Sequence, residues 1–408
     1  MKAARPYPIV TITPKGERAI VDGHPWVYEG EVVSISGTPE DGGLADVVSK
    51  KGSWLGCGFY NSASKIRVRL VTRNANDDPA GDAFWERRLR YAWDYRKTVM
   101  GEADSRCCRI IFGEADGFPG LTVDRFERVL VAQVLSLGME RIKERVLPLL
   151  VRILREDGQV IRGVYERNDA ALRTLEGMAQ GKGWMTLPCE AVPEGTAEDI
   201  TENGIRYTVD FENGQKTGFF LDQKYNRLAV AKLAKGRTVL DCFTHTGSFA
   251  LNAARGGAKH VTAVDVSDFA VACARENAAR NGLESVVDCV SANVFDLLPR
   301  LQKGQYDFII LDPPAFTKSR QTTRRAMAGY KEINYRAMRL LPRGGYLATC
   351  SCSHFATEEL FRKMLRDAAH DAGVQLRQIE ARQQAADHPI LWGVDETNYL
   401  KFYLFQVV

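Results

Sequence analysis

The chain has 408 residues, 45% of them apolar and 26% charged, with a net charge of +4. That balance is ordinary for a folded soluble protein, and the length points to two or three domains. No apolar run approaches the ~20 residues of a membrane helix, and the N-terminus MKAARPYPIVTITPKGERAI lacks the apolar stretch of a signal peptide, so a cytoplasmic protein without a membrane partner is expected. The nine cysteines are scattered and odd in number, which excludes a disulfide framework. Adjacent Cys107-Cys108 and the C-x-C of Cys350 and Cys352 lack a second pair at zinc-ribbon spacing, so no metal is expected.

Residues 1–76 read as short β segments, IVTI, WVYEGEVVSI, LADVVSK, WLGCGFY and KIRVRLV, between turn-rich breaks. The spacing predicts a small barrel or sandwich. Lys65, Arg67 and Arg69 alternate along one strand and therefore share a face, which suits an RNA-binding face and a merely solvated one equally. After the break DDPAGD, residues 77–189 mix helical and strand patterns and predict an α+β region. It contains the helical stretches FWERRLRYAWDYRKTVM and MERIKERVLPLLVRILRED and the turn GEADGFPGLTVD.

Residues 190–408 change rhythm. TVLDCF, HVTAVDV, VVDCVSA, YDFIILD and GYLATCS read as strands separated by helical stretches, which predicts a parallel, doubly wound α/β sheet. In such sheets ligands sit at the carboxyl ends of the strands. The first strand runs into Asp241-Cys242-Phe243-Thr244-His245-Thr246-Gly247, a tight turn before a helix. It lacks G-x-G-x-x-G and G-K-[ST], which disfavours a dinucleotide and excludes a P-loop. The second strand ends in Asp265-Val266, where an acid can accept hydrogen bonds from ribose hydroxyls. Asn293-Val294 follows the third strand, where Asn293 can read an adenine amine. The fourth strand ends in Asp312-Pro313-Pro314-Ala315-Phe316. Then come Lys318, Arg320, Arg324, Arg325, Lys331, Arg336, Arg339 and Arg343 against a single acid, Glu332. Placed directly after the strongest site candidate, this run points to a polyanionic substrate.

The ordered set resembles the class I S-adenosylmethionine-dependent methyltransferases. That resemblance implies a methionine-side loop from Asp241 to Gly247 (with Phe243, Thr244 and Thr246), a ribose contact at Asp265 and Val266, and an adenine edge at Asn293 and Val294. Lys216-Thr217-Gly218-Phe219-Phe220-Leu221-Asp222-Gln223 is similar to the cofactor-lid segment of the RlmI-like ribosomal RNA cytosine-C5 methyltransferases, adding Lys216, Thr217, Phe219 and Asp222 to the cofactor set. In that family a PUA-like RNA-binding barrel precedes an α+β domain and the methyltransferase, the order read above. H-P-W-V-Y, D-G-F-P-G-L-T-V-D and A-D-H-P also look like its signatures. The implied partner is ribosomal RNA, with a homodimer left open.

Cytosine C5 is a poor nucleophile, and a thiolate adding to C6 would activate it. Counting from Gly344-Gly345, the resemblance places that nucleophile at Cys352, with Cys350 expected on the same strand face one pleat deeper. Asp312 is expected to bond the cytosine N3/N4 edge besides bordering the cofactor, and Pro313, Phe316, Lys318, Arg324 and Arg325 to meet the RNA. Two other readings stay open: base N-methylation of RNA, which needs no thiol, and a non-catalytic RNA-binding assembly factor.

Overall fold

The computed structural model describes residues 5–317 and 319–408, so Lys318 and the side chain of Arg320 lie outside the described residues. Two compact units emerge: residues 1–200 with 209–221 and 386–397, and residues 201–208 with 222–385 and 398–408.

The first unit contains two sheets. Strands β1 (Ile9–Ile12), β2 (Trp26–Tyr28), β3 (Val32–Ser36), β4 (Leu44–Ser49), β5 (Trp54–Tyr60) and β6 (Ile66–Thr72) form a sheet in the order β2-β6-β5-β4-β1-β3. Its core gathers Val10, Ile12, Val27, Val47, Val68 and Leu70. Two segments depart from the β reading: Pro14–Val21 is helix α1, and a 3-10 turn at Glu29–Glu31 splits WVYEGEVVSI into β2 and β3. Thr13 caps it by accepting from the Gly16 N–H, and Pro14 occupies the first turn, where its missing N–H is harmless.

The basic strand also differs from expectation. Arg67 donates to Glu29 at 2.8 Å, and Arg69 bonds Glu176 at 3.0 Å and lies over the Trp26 ring. Both side chains are only 12% exposed. Only Lys65 of that face is open to solvent. The alternation was read correctly, but neighbouring carboxylates neutralise the face.

The second sheet, β7 (Cys107–Phe112), β8 (Leu121–Phe126), β9 (Val129–Val134), β10 (Gly163–Asn168) and β11 (Gly181–Trp184), is ordered β11-β10-β9-β8-β7 and accompanied by helices α2 (Asp82–Asp104) and α3 (Leu137–Glu156). Two sequence motifs find a structural use here. Buried Arg96 takes Asp116 in a two-pronged bond at 2.6 and 2.8 Å and also donates to the Asp387 carbonyl. The Asp387 carboxylate accepts from the Arg109 N–H and meets His388 at 2.9 Å. The A-D-H-P stretch is thus a strap onto β7.

A hairpin, β12 (Ala197–Glu202) and β13 (Ile205–Asp210), marks where the chain passes between units. The second unit then holds α4 (Lys224–Leu233) and strands β14 (Thr238–Cys242), β15 (His260–Asp265), β16 (Val287–Ser291), β17 (Phe308–Leu311), β18 (Tyr346–Ser351), β19 (Leu376–Arg382) and β20 (Lys401–Val407). Their order is β16-β15-β14-β17-β18-β20-β19. The five expected strands are parallel, as predicted. The sheet is nonetheless mixed, because β20 inserts antiparallel between β18 and β19. Helices α5 (Ser248–Arg255), α6 (Asp268–Arg280), α7 (Val294–Leu297), α8 (Thr323–Leu340) and α9 (Glu358–Ala372) complete the unit. The order reverses between β14 and β17, the switch point where an open α/β sheet binds ligands.

Within this unit Arg227 of α4 is fully buried against Glu202, itself fully buried. Removing one member of such a pair strands a charge, at a cost of about 3–5 kcal/mol, whereas replacing both by apolar groups is often neutral. Glu202→Ala should therefore lower the urea midpoint strongly, and Glu202→Met with Arg227→Met should recover much of it. Equal midpoints for Glu202→Ala and the native chain would show that the pair does not hold α4.

Candidate active site

Three acids stand at the carboxyl edge around the switch point. Asp241, the fourth residue of β14, is fully buried, and burial pushes its carboxyl up to about 7. One carboxyl oxygen accepts from the Thr244 hydroxyl and from the Ala250 N–H at 3.0 Å. The other oxygen is buried without a partner among the described residues, as is the Thr246 hydroxyl.

The turn after β14 is backbone-strained. Phe243 (φ 64°) and His245 (φ 52°) both adopt left-handed conformations, which side chains with a Cβ rarely take. Two bonds to β15 hold them: the Thr244 N–H donates to the Val264 carbonyl, and the His245 N–H donates to the Asp265 carboxylate, both at 2.9 Å. Gly247 has φ +83°, and a Cβ there would lie 3.1 Å from that of Ala274. Only glycine fits this approach comfortably.

Asp265 also accepts from the Ser267 N–H at 3.0 Å, so its carboxylate ties the first turn to the start of α6. Ser267 caps that helix, as the sequence allowed. Val266 is largely exposed beside it. Asn293 caps α7 by accepting from the Phe295 N–H, which leaves its amide N–H groups for a ligand. The Val294 side chain packs into the core with Leu240 and Val264 instead of lining an open edge.

Asp312 follows β17. Burial first, and the Asp222 charge second, push its carboxyl up to about 6, with Arg227, Gln223 and Cys350 opposing. Gln223 donates to it at 3.1 Å and is itself fixed by Asn226 at 2.6 Å. Asp222 is buried and accepts from the Tyr399 hydroxyl at 2.6 Å. Pro313 is buried. Phe316 leans on Tyr330 (ring centroids 4.6 Å apart), Phe295 and Phe243, so it forms part of an aromatic wall.

The two thiols have separate surroundings. Cys350 is fully buried on β18, where burial and the Asp312 charge push its pKa well up and the thiol bonds Asp312 and Gln223. Cys352 is half-buried and lies beyond Ser351, the last residue of β18. Its neighbours are Lys401 and Tyr330, residues that the sequence reading missed. Lys401 left one signal, a lone cation opening the apolar strand KFYLFQV. Gln223 was passed over although it closes the K-T-G-F-F-L-D-Q stretch.

Arg324 and Arg325 are exposed in the first turn of α8. Cations at that end oppose the helix dipole, so helix stability does not explain them. Farther along, Lys331 and Arg336 are engaged with Asp371 and Glu332. Lys216, Thr217 and Phe219 belong to the first unit, where Thr217 is buried and its hydroxyl donates to Asp124. Among the described residues no group of three or more His, Cys, Asp or Glu could hold a metal ion, and no helix is long and apolar enough to cross a membrane.

Residues 186–406 match the family described as S-adenosylmethionine-dependent methyltransferase, and residues 10–73 match the PUA-like domain. The chain is 38% identical over 407 residues to ribosomal RNA large subunit methyltransferase I of Klebsiella pneumoniae (strain 342), covering 98% of this chain and 99% of that protein. It is also 38% identical to the Salmonella arizonae protein of the same name, covering 98% of each. A Streptococcus mutans structure named as a SAM-dependent methyltransferase shares the fold, with a TM-score of 0.80 at 20% identity over 98% of this chain and 99% of that one. A further structure, named as a methyltransferase complexed with SAH, has a TM-score of 0.81 at 20% identity, covering 98% of this chain and 99% of that chain. The match across half the chain, the near full-length relatives and the acids at the switch point lead to one conclusion: this protein belongs to the S-adenosylmethionine-dependent methyltransferase family, carries an N-terminal PUA-like domain, and uses S-adenosylmethionine as its cofactor.

Proposed function

We propose that the chain methylates C5 of a cytosine in ribosomal RNA, within the large-subunit 23S species, through a covalent bond from Cys352 to C6. The substrate class rests on its relatives, named as ribosomal RNA large subunit methyltransferase I. The observation that carries the chemistry is the placement of Cys352: half-buried and just past β18, the strand that neighbours β17, after which Asp312 follows.

The edge of β14 and β15 fits the cofactor. The buried unpartnered Asp241 oxygen and Thr246 hydroxyl need polar partners, and Asp265 and the Asn293 amide present further groups to a ribose and a purine. S-adenosylmethionine, when bound, supplies a methyl group on an electrophilic sulfonium. The protein's own part is to make the acceptor carbon nucleophilic. Cys352 loses its proton, and the thiolate sulfur bonds C6 while the C5–C6 π electrons move into the ring, enriching C5. Once C5 is substituted and has lost its proton, the C6–S bond breaks and returns its electron pair to sulfur. Asp312, with its carboxyl near 6, can present either a proton to N3 or an acceptor to the N4 amine. The base must leave its stack to reach this edge, and the Phe316 wall is the aromatic surface beside it.

Cys352→Ala should abolish both methyl transfer and the trapped complex with 5-fluorocytidine RNA. Cys350→Ala should keep most activity and cost about 0.5–3 kcal/mol of stability, read by urea unfolding. Persistent turnover in Cys352→Ala with a dead Cys350→Ala would move the nucleophile to the deeper thiol, and trapping by neither would favour N-methylation.

Asp265→Ala should weaken S-adenosylmethionine binding about ten- to a hundred-fold by titration calorimetry, the worth of roughly 1.5–3 kcal/mol for a charge-assisted bond. An unchanged dissociation constant would remove Asp265 from the site.

Replacing Arg324 and Arg325 together by Ala should lower RNA affinity and flatten its salt dependence through reduced counterion release, with cofactor affinity unmoved. Identical salt slopes for the two proteins would make the pair a solvated surface only.

A further inference from the structure

Strand β20 opens with a lysine that its packing role does not call for. Lys401 is 7% exposed, and the strand after it is almost wholly buried. Burying an ammonium is expensive unless something compensates. No carboxylate forms an ion pair with it among the described residues. Its Nζ instead donates to two backbone carbonyls, Ser353 O and Tyr399 O, each at 2.7 Å. An ammonium has three N–H donors, so these two bonds leave one over.

The carbonyl it grips belongs to the segment that carries Cys352. β20 pairs antiparallel with β18, with Lys401 opposite Ser351. Ser353 is further pinned because its hydroxyl donates to the Thr317 carbonyl at 3.0 Å. The ammonium is therefore held at the point where β18 ends and the half-buried thiol begins. The Cys352 sulfur and the Glu358 carboxylate are the two groups whose negative charge favours its ionised form.

We infer that Lys401 is a positioning residue whose ammonium holds Cys352 as a thiolate before substrate arrives. This rests on the reading of Cys352 as the nucleophile. The thiol proton goes to water, the sulfur keeps its electron pair, and Lys401 keeps all its protons. An opposite charge held beside the residue next in the chain favours the ionised thiol.

The other groups around the pair sharpen the point. Glu358 on α9 and Asp312 at the end of β17 are acids, and both oppose a thiolate when ionised. Glu358 is shared with the Tyr403 hydroxyl at 3.0 Å and Arg362 at 3.8 Å. Tyr330 on α8 contributes a hydroxyl, Cys350 on β18 is pushed up by burial, and His354 follows Cys352 in the loop. Burial pulls Lys401 itself down to about 8, and the negative charges of Cys352 and Glu358, when ionised, oppose that pull.

The test uses the full-length protein without cofactor or RNA. Alkylation of Cys352 by iodoacetamide is followed across pH 5–10 by peptide mass mapping, with exposed Cys189 as the internal standard. Three proteins are compared: native, Lys401→Gln, which keeps two N–H donors but loses the charge, and Lys401→Arg. The native Cys352 midpoint should fall at least one unit below the ordinary thiol value of about 8.5. Lys401→Gln should raise that midpoint by at least one unit, slowing alkylation at pH 7 about tenfold, and Lys401→Arg should stay within half a unit of native. A native midpoint at or above 8.5 overturns the inference even if no variant folds, and so does an unmoved midpoint in folded Lys401→Gln. The two readings fail separately. A depressed, lysine-dependent midpoint with 5-fluorocytidine trapping that survives Cys352→Ala would keep the pair and reject the nucleophile assignment. The reverse result would reject the pair alone.

Discussion

The second unit is organised around the cost of keeping carboxyl groups at the edge beside its switch point. β14 and β17 run parallel side by side, in register from Val239 opposite Phe308 to Cys242 opposite Leu311, and they deliver Asp241 and Asp312 to the same sheet edge. Burial pushes both carboxyls up, and a nearby acid adds to it in each case, Asp312 at Asp241 and Asp222 at Asp312. The surrounding side chains are arranged as donors that reduce this penalty. Thr244 and the Ala250 N–H serve Asp241, while Gln223 and the Cys350 thiol serve Asp312. One consequence is a division of labour between the two thiols: Cys350 is committed as a donor within the sheet, and the thiol beyond the strand is left for chemistry.

The acids and the turn were readable because their placement is local. A β-branched run, an acid at its end and a glycine before a helix fix one another within about ten residues, and Asp241, Gly247 and Asp265 all fall where that logic puts them. What escaped the sequence depends on distant pairings. Gln223 meets Asp312 across 89 positions, and Lys401 meets Ser353 across 48. Neither pairing leaves a periodic trace. The antiparallel β20 was missed for the same reason, because an apolar strand carries no sign of its direction.

Motifs that look functional by their polarity were partly structural. In A-D-H-P, Asp387 and His388 anchor a returning segment to Arg96 and Arg109. In D-G-F-P-G-L-T-V-D, Asp116 and Asp124 each accept a two-pronged arginine, Arg96 and Arg109 respectively. Such pairs fix geometry, and their charges are invisible to a reader who sees only one partner.

Glu176 shows how far this fixing extends inside the first unit. Its carboxylate takes the Ser64 hydroxyl, the Asn61 amide and the Arg69 guanidinium, all from the PUA-like domain. Trp26 of that domain likewise reaches Glu114 at 2.9 Å. Polar contacts therefore run across residue 76, the border expected from the sequence. The PUA-like sheet is not an interchangeable module here. Grafted onto another protein it would carry an arginine, an asparagine and a tryptophan deprived of their acids, so any exchange of this domain between relatives must bring Glu114 and Glu176 with it.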